Sequence, residues 1–398
     1  MVLVYSFAHF IVDFACAFMI FRFIPTAPDA SIYMLLYNFC AFAMQAPLGV
    51  VADRLSRNNL FAAIGCALVA VTFGLIRFAP FLVLVICAGV GNAMFHIGGG
   101  IDVLNISEVK AGALGVFVSP GALGIFFGAM FGRGWSDAYL IYMIAIVLAL
   151  ILMIGMILAL RFAQDRIYTK NVPFAFDASA SPQPCTAPDR TASPQPFAAP
   201  DRTASQQPHA ALGGAESPAL LIAQDGSASP RLLIVAACVF VVVCLRSYIG
   251  LSLDFPWKST GAWGIKLTVA VALGKFLGGF MSDIFGKKKT ACVSLGASAI
   301  LFLFPGAPAS GVAAVLFFNM TMPLTLWAIA AAFPSAKGFS FGLLSFALFL
   351  GYLPVFSGVT PPQGASYVWQ FYAAAAAVIS IPLLYAGLKS AVNFSVRS

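Results

Sequence analysis

The chain has 398 residues and a formal charge of +8, with 61% apolar and only 9% charged side chains. A water-soluble domain carries about a quarter charged residues, so 22 Lys+Arg and 14 Asp+Glu cannot coat a soluble surface of this size. The composition excludes a soluble enzyme, and the basic residues, scattered singly between apolar runs, read as topology signals rather than as a nucleic-acid surface.

Apolar stretches of about 20 residues cross the ~30 Å hydrocarbon layer as helices. In chain order the breaks delimit twelve spans: 2–22, 31–52, 59–78, 80–101, 111–132 and 139–161, then 231–252, 261–282, 289–305, 310–333, 338–357 and 366–388. The first begins at Val2 with no basic region before it and is interrupted by Asp13, so it reads as a mature span and not as a cleavable leader. Between the sixth and seventh spans, 162–230 is rich in Pro, Ser, Ala and Asp and holds a duplication, SPQPCTAPDRTA followed by SPQPFAAPDRTA. Without apolar periodicity it reads as a disordered linker. The expected fold is an all-α membrane protein of twelve transmembrane helices in two six-helix bundles, 1–161 and 231–398, joined by 162–230. The eight cysteines form no C-x-x-C pair, so they read as small apolar fillers, and neither a metal site nor a disulfide framework is expected.

With a cytoplasmic N-terminus, the inside loops and tail hold fifteen Lys/Arg residues, whereas the outside loops hold four: Arg22, Arg77, Arg133 and Lys258. This positive-inside bias places both termini and the linker in the cytoplasm, in a multi-pass protein of the plasma membrane. Two inside loops share one form. Gly49-Val-Val-Ala-Asp53-Arg54-Leu-Ser-Arg57 follows span 2, and Gly279-Phe-Met-Ser-Asp283-Ile-Phe-Gly286-Lys287 follows span 8. The glycine permits close helix approach, and the aspartate suits a neighbouring helix N-terminus or an arginine. Two copies at matched positions read as a conformational latch rather than as chance charged turns.

Twelve spans, a long central loop and this motif in both halves resemble the major facilitator superfamily of secondary transporters, over essentially the whole chain. The resemblance implies two bundles rocking about a central site lined by spans 1, 4, 7 and 10. Ser56 stands where the family pattern has glycine, and Ile284 where it has a basic residue.

Charges inside a membrane are costly and mark functional positions. Span 1 carries Tyr5, His9 and Asp13 at i, i+4 and i+8, on one face, opposite a stripe of Phe7, Phe10, Phe14, Phe18 and Phe21. Span 4 carries Asn92 and His96, with Asp102 near its inner end; span 7 carries Arg246; span 10 carries Asn319 and Thr321; Lys275 lies deep in span 8. Asp13 and Arg246 read either as an ion pair locking the halves or, with the histidines, as a proton relay and substrate cradle. In span 5, Gly115-x-x-x-Ser119-Pro120-x-x-x-Gly124 is similar to the hinge signature of exporters in the superfamily, with tight packing against the other half as its purpose. His9-Phe10-x-x-Asp13, Phe95-His96-x-Gly98 and Arg246 resemble the fosmidomycin-resistance branch of exporters, which has proline where this chain has Ile97.

The expectation is a monomeric secondary transporter, not an enzyme, that moves a small organic solute by proton-coupled efflux and needs no cofactor. Uptake of a small organic anion, or a membrane sensor without transport, are the alternatives. A channel would show a repeated filter element, and a membrane enzyme a nucleophile or second ligand cluster in a loop; neither pattern is present in the sequence.

Overall fold

A computed structural model describes residues 1–27, 29–107, 110–134, 139–171, 230–258, 262–359 and 366–395. Most of the expected linker, 172–229, lies outside the described residues. Among the described residues, twelve helices follow one another. The first six are α1 Val2–Phe23, α2 Ala30–Leu55, α3 Asn58–Leu75, α4 Phe81–Ile106, α5 Gly112–Arg133 and α6 Tyr139–Asn171. The second six are α7 Pro230–Ser252, α8 Trp263–Phe285, α9 Lys287–Phe302, α10 Pro308–Ala332, α11 Lys337–Phe356 and α12 Ser366–Ser395. Of these described helices, eleven are long and apolar enough to cross a membrane. The twelfth, α9, has 16 residues and is about 24 Å long; it packs between α10 and α12, with Leu295, Ala299 and Phe302 buried and Phe302 against Phe318 of α10.

Two spans are not regular helices. α2 contains a π-helical segment, Phe39–Ala43, and α10 breaks after Asn319 and restarts at Met322 with Pro323 in its first turn, where a missing N–H costs nothing. α6 continues through Asn171, so the first residues of the segment read as linker are helical.

The packing repeats between the halves. α1 packs on α5 as α7 packs on α11, and the halves meet along α5–α8 and α2–α11. Small residues permit the second contact. A Cβ on Gly49 would collide with the carbonyl of Gly338, and one on Gly338 would come within 2.6 Å of the Gly49 carbonyl, so backbone touches backbone there.

Candidate functional site

On α1, Tyr5, His9 and Asp13 share one face and are all buried. The face turns toward α4. Asp13 Oδ2 lies 3.2 Å from His9 Nε2 and Oδ1 lies 3.6 Å from His96 Nε2. Asn92 Nδ2 donates to Oδ1 at 3.3 Å. His9 Nδ1 meets the Phe117 carbonyl at 2.8 Å, and His96 Nδ1 meets the Asn92 carbonyl at 2.9 Å. A carbonyl only accepts, so each Nδ1 carries a hydrogen. The two Nε2 atoms face each other at 2.9 Å. Two ring nitrogens and a carboxylate thus converge on one point, where the group can take up and release a proton.

α5 completes this cluster. Pro120 has no N–H, which leaves the Val116 carbonyl without its helical donor. The Ser119 hydroxyl donates to it at 3.3 Å, and the Ser6 hydroxyl, 3.0 Å away, shares its proton between this carbonyl and that of Val2 at 2.8 Å. One residue on, the Phe117 carbonyl holds His9. Gly121 gives the cluster its room: a Cβ there would collide with His9 Nε2 and lie 2.6 Å from Asp13 Oδ2. Of the two hinge glycines, Gly115 abuts the Lys275 and Phe276 carbonyls of α8, across the halves. Gly124 instead sits on the Phe10 carbonyl of α1. The expectation that both glycines serve the other half is therefore corrected: the helix has two small-residue faces, and most of the stripe beds α1 within its own half.

Nearer the latch loops, Tyr5 donates to Asp102 Oδ2 at 2.6 Å and Asn58 donates to Oδ1 at 3.0 Å. The phenylalanine stripe of α1 is partly core: Phe18 is buried against Phe73 and Tyr142, while Phe7 is exposed.

Arg246 does not pair with Asp13. Its Nη1 lies 3.4 Å from the Thr321 and Thr325 hydroxyls, whose own protons go to the Phe318 and Met322 carbonyls. Histidines from its own half satisfy Asp13 instead. Asn319 donates to Val315 one turn back, within α10, and contributes its place at the helix break. Lys275 is half-buried on α8, with Arg246 and Asp13 as its electrostatic neighbours. Among the described residues, the buried Arg246 thus has hydroxyl partners alone. Thr325, Gly121, Asn58 and the Ser345–Gln45 bond across α11–α2 (2.6 Å) escaped the sequence reading; the i, i+4 spacing of Thr321 and Thr325 was the available signal for the first.

Both motif aspartates reach across the halves. Asp53 accepts the N–H groups of Gly338 and Phe339 at 2.7 and 2.9 Å, in the first turn of α11. Asp283 accepts those of Ala111 and Gly112, both at 2.8 Å, where α5 begins. Each carboxylate satisfies orphan donors and faces the positive end of a helix dipole. Lys337 adds a bond to Asn105 at 3.0 Å. Of the motif cations, Lys287 lies over the Trp327 ring at 4.2 Å, while Arg54 and Arg57 are exposed. The face carrying these loops is closed.

Solved structures share this fold. One structure of the Escherichia coli fucose:proton symporter FucP aligns with TM-score 0.60 and 13% identity over 96% of this chain and 97% of that one. The chain has the major facilitator fold. A second structure of FucP, in the outward conformation, aligns with TM-score 0.56 and 13% identity over 96% and 97% of the two chains. The proton:xylose symporter XylE, bound to 6-bromo-6-deoxy-D-glucose, aligns with TM-score 0.58 and 13% identity over 96% and 94%. No protein-family model matches the sequence, and no curated protein matches it.

Proposed function

We propose that the chain is a proton-coupled secondary transporter that exports a small organic solute carrying an anionic group. The observation that carries this reading is the Asp13–His9–His96 cluster, two ring nitrogens beside a carboxylate inside the first half, in a molecule whose halves are pinned by matched carboxylate contacts. The cluster holds the coupling proton. Arg246 and Lys275, facing it from the other half without a carboxylate partner among the described residues, meet the negative group of the solute. Occupancy of one side alters the field at the other, which is the reciprocal linkage that coupling requires. Tyr5 and Asp102 stand between the cluster and the latch face as the next carriers of the proton.

The latch face is the cytoplasmic side on the positive-inside count, with both termini there. Two bundles, 1–161 and 231–398, rock as units about the site, and the chain works as a monomer in the plasma membrane. Export rests on the Pro120 pattern in α5.

The test is transport in proteoliposomes with an imposed pH gradient, run over a panel of small organic anions. Wild type should drive solute against its own gradient while dissipating the proton gradient. Asp13→Asn and Arg246→Ala should lose this flux while remaining in the membrane. Flux driven by the pH gradient in Asp13→Asn would sink the coupling assignment, and proton and solute moving in the same direction would replace export with uptake.

A further inference from the structure

We propose that His9, Asp13 and His96 form a binding site for a divalent transition-metal cation of the zinc class. The transport reading supplies only the position of this site on the cargo path. The site itself stands on the geometry of three side chains. Their donor atoms all lie within 4.8 Å of one another: the two Nε2 atoms are 2.9 Å apart, His9 Nε2 is 3.2 Å from Asp13 Oδ2, and His96 Nε2 is 3.6 Å from the other oxygen, Oδ1. A tetrahedral ion with bonds of about 2.0–2.1 Å holds its ligand atoms roughly 3.3–3.4 Å apart. The 3.2 Å between His9 Nε2 and Asp13 Oδ2 is close to that value, and the two rings, 2.9 Å apart, part by about half an ångström to admit an ion.

The surroundings fit an ion as well as the spacing does. Each histidine is held through Nδ1–H on a backbone carbonyl, which leaves the Nε2 lone pair as its donor to an ion. That outer contact is what orients ligating imidazoles and strengthens them as donors. The Asn92 amide fixes the carboxylate in the same way. Gly121 leaves open the space beside His9 Nε2 and Asp13 Oδ2 that a side chain would fill. Two imidazoles and one carboxylate suit zinc, cobalt, nickel or copper; magnesium and calcium prefer oxygen alone.

The ion and the proton exchange for one another. The ion binds both Nε2 atoms and one Asp13 oxygen, and any proton the cluster holds leaves to solvent. Three protein donors leave at least one coordination position for water or for a donor atom of the cargo. Lys275 on α8 and Arg246 on α7 are the positive groups across from the triad, and they disfavour a bare cation. An ion that arrives with an anionic chelator brings the negative charge those two residues lack.

The test uses the full-length protein in detergent, without a polyhistidine tag, titrated with Co²⁺ and followed by its visible d–d absorption. Wild type should bind one Co²⁺ per chain with the intense bands of a four-coordinate site, displaced by Zn²⁺ and unaffected by Mg²⁺. His96→Gln and Asp13→Asn should each weaken Co²⁺ binding at least 10-fold, while Asp13→Glu should keep the bands. His209, the third histidine of the chain, controls for adventitious binding: His209→Gln should leave the bands unchanged. Wild type without bands, or bands equal in wild type, His96→Gln and Asp13→Asn, would overturn the site. If wild type lacks bands but still shows proton-driven flux that Asp13→Asn abolishes, the metal site falls and the transport reading stands. Bands in wild type together with retained proton-driven flux in Asp13→Asn leave the metal site standing and remove the coupling role of the carboxylate.

Discussion

A single methyl group on Gly121 would collide with His9 Nε2 and come within 2.6 Å of Asp13 Oδ2. Alanine is a better helix former than glycine by about 1 kcal/mol, so Gly121→Ala should not unfold α5. It should instead push the imidazole off Asp13 and open the 2.9 Å contact between the rings. The expected outcome is normal membrane insertion with proton-driven flux reduced more than 10-fold, measured in proteoliposomes; a variant that transports like wild type would show that the cluster tolerates dislocation. At this scale the face of α1 was legible, because i, i+4 and i+8 leave one geometry for Tyr5, His9 and Asp13. The partner of Asp13 was not. A carboxylate at mid-depth can be met by an arginine from the opposite half or by histidines from its own, and spacing along one helix does not decide how its neighbour is rotated. Gly121 was hidden for the same reason: its role depends on which way α5 turns toward α1.

Among the elements, the two latch turns differ at one matched position. Ser56 adopts φ 51°, and its counterpart Gly286 adopts φ 89°. The left-handed region costs an L-residue roughly 1–2 kcal/mol, part of which glycine returns as lost chain entropy in the folded state. Ser56→Gly should therefore stabilise the protein by about 1 kcal/mol, seen as a rise of a few degrees in thermal unfolding in detergent. Gly286→Ser should lower it. The departure at Ser56 was visible in the sequence, since a motif present twice exposes the copy that breaks its own pattern. The irregular spans were not visible. The π-helical stretch Phe39–Ala43 and the break between Asn319 and Met322 lie inside apolar runs, and hydropathy registers where a span lies, not how its backbone winds. The same limit applies to α9, whose 16 residues are held by neighbours rather than by length.

At the scale of the whole molecule, four backbone N–H groups bond to two carboxylates across the halves, at 2.7–2.9 Å. If the halves rock as proposed, these bonds exist only while the latch face is closed. Opening it sends Asp53 and Asp283 into water and uncaps the first turns of α11 and α5. Hydrogen bonds to a charged group contribute about 1.5–3 kcal/mol net. Asparagine keeps one acceptor oxygen and loses the charge, so Asp53→Asn or Asp283→Asn should weaken a latch by roughly 1.4 kcal/mol, a 10-fold shift toward the open face. Because the latches lie on different helix pairs, the double variant should shift the balance by the product of the two. Spin labels at the exposed Leu55 and Ser335, one on each half, read this directly: the short-distance population should fall in each single variant and become the minority in the double. An unchanged distance distribution in the double variant would mean that the α5–α8 and α2–α11 surfaces hold the face shut without the carboxylates. The pairing of motif and helix start was half-legible from the sequence. The aspartate's need for a helix N-terminus follows from its charge, but only the packing of α2 on α11 and α8 on α5 shows that the donor belongs to the other half, so that in the proposed rocking motion the capping contact would act as the switch.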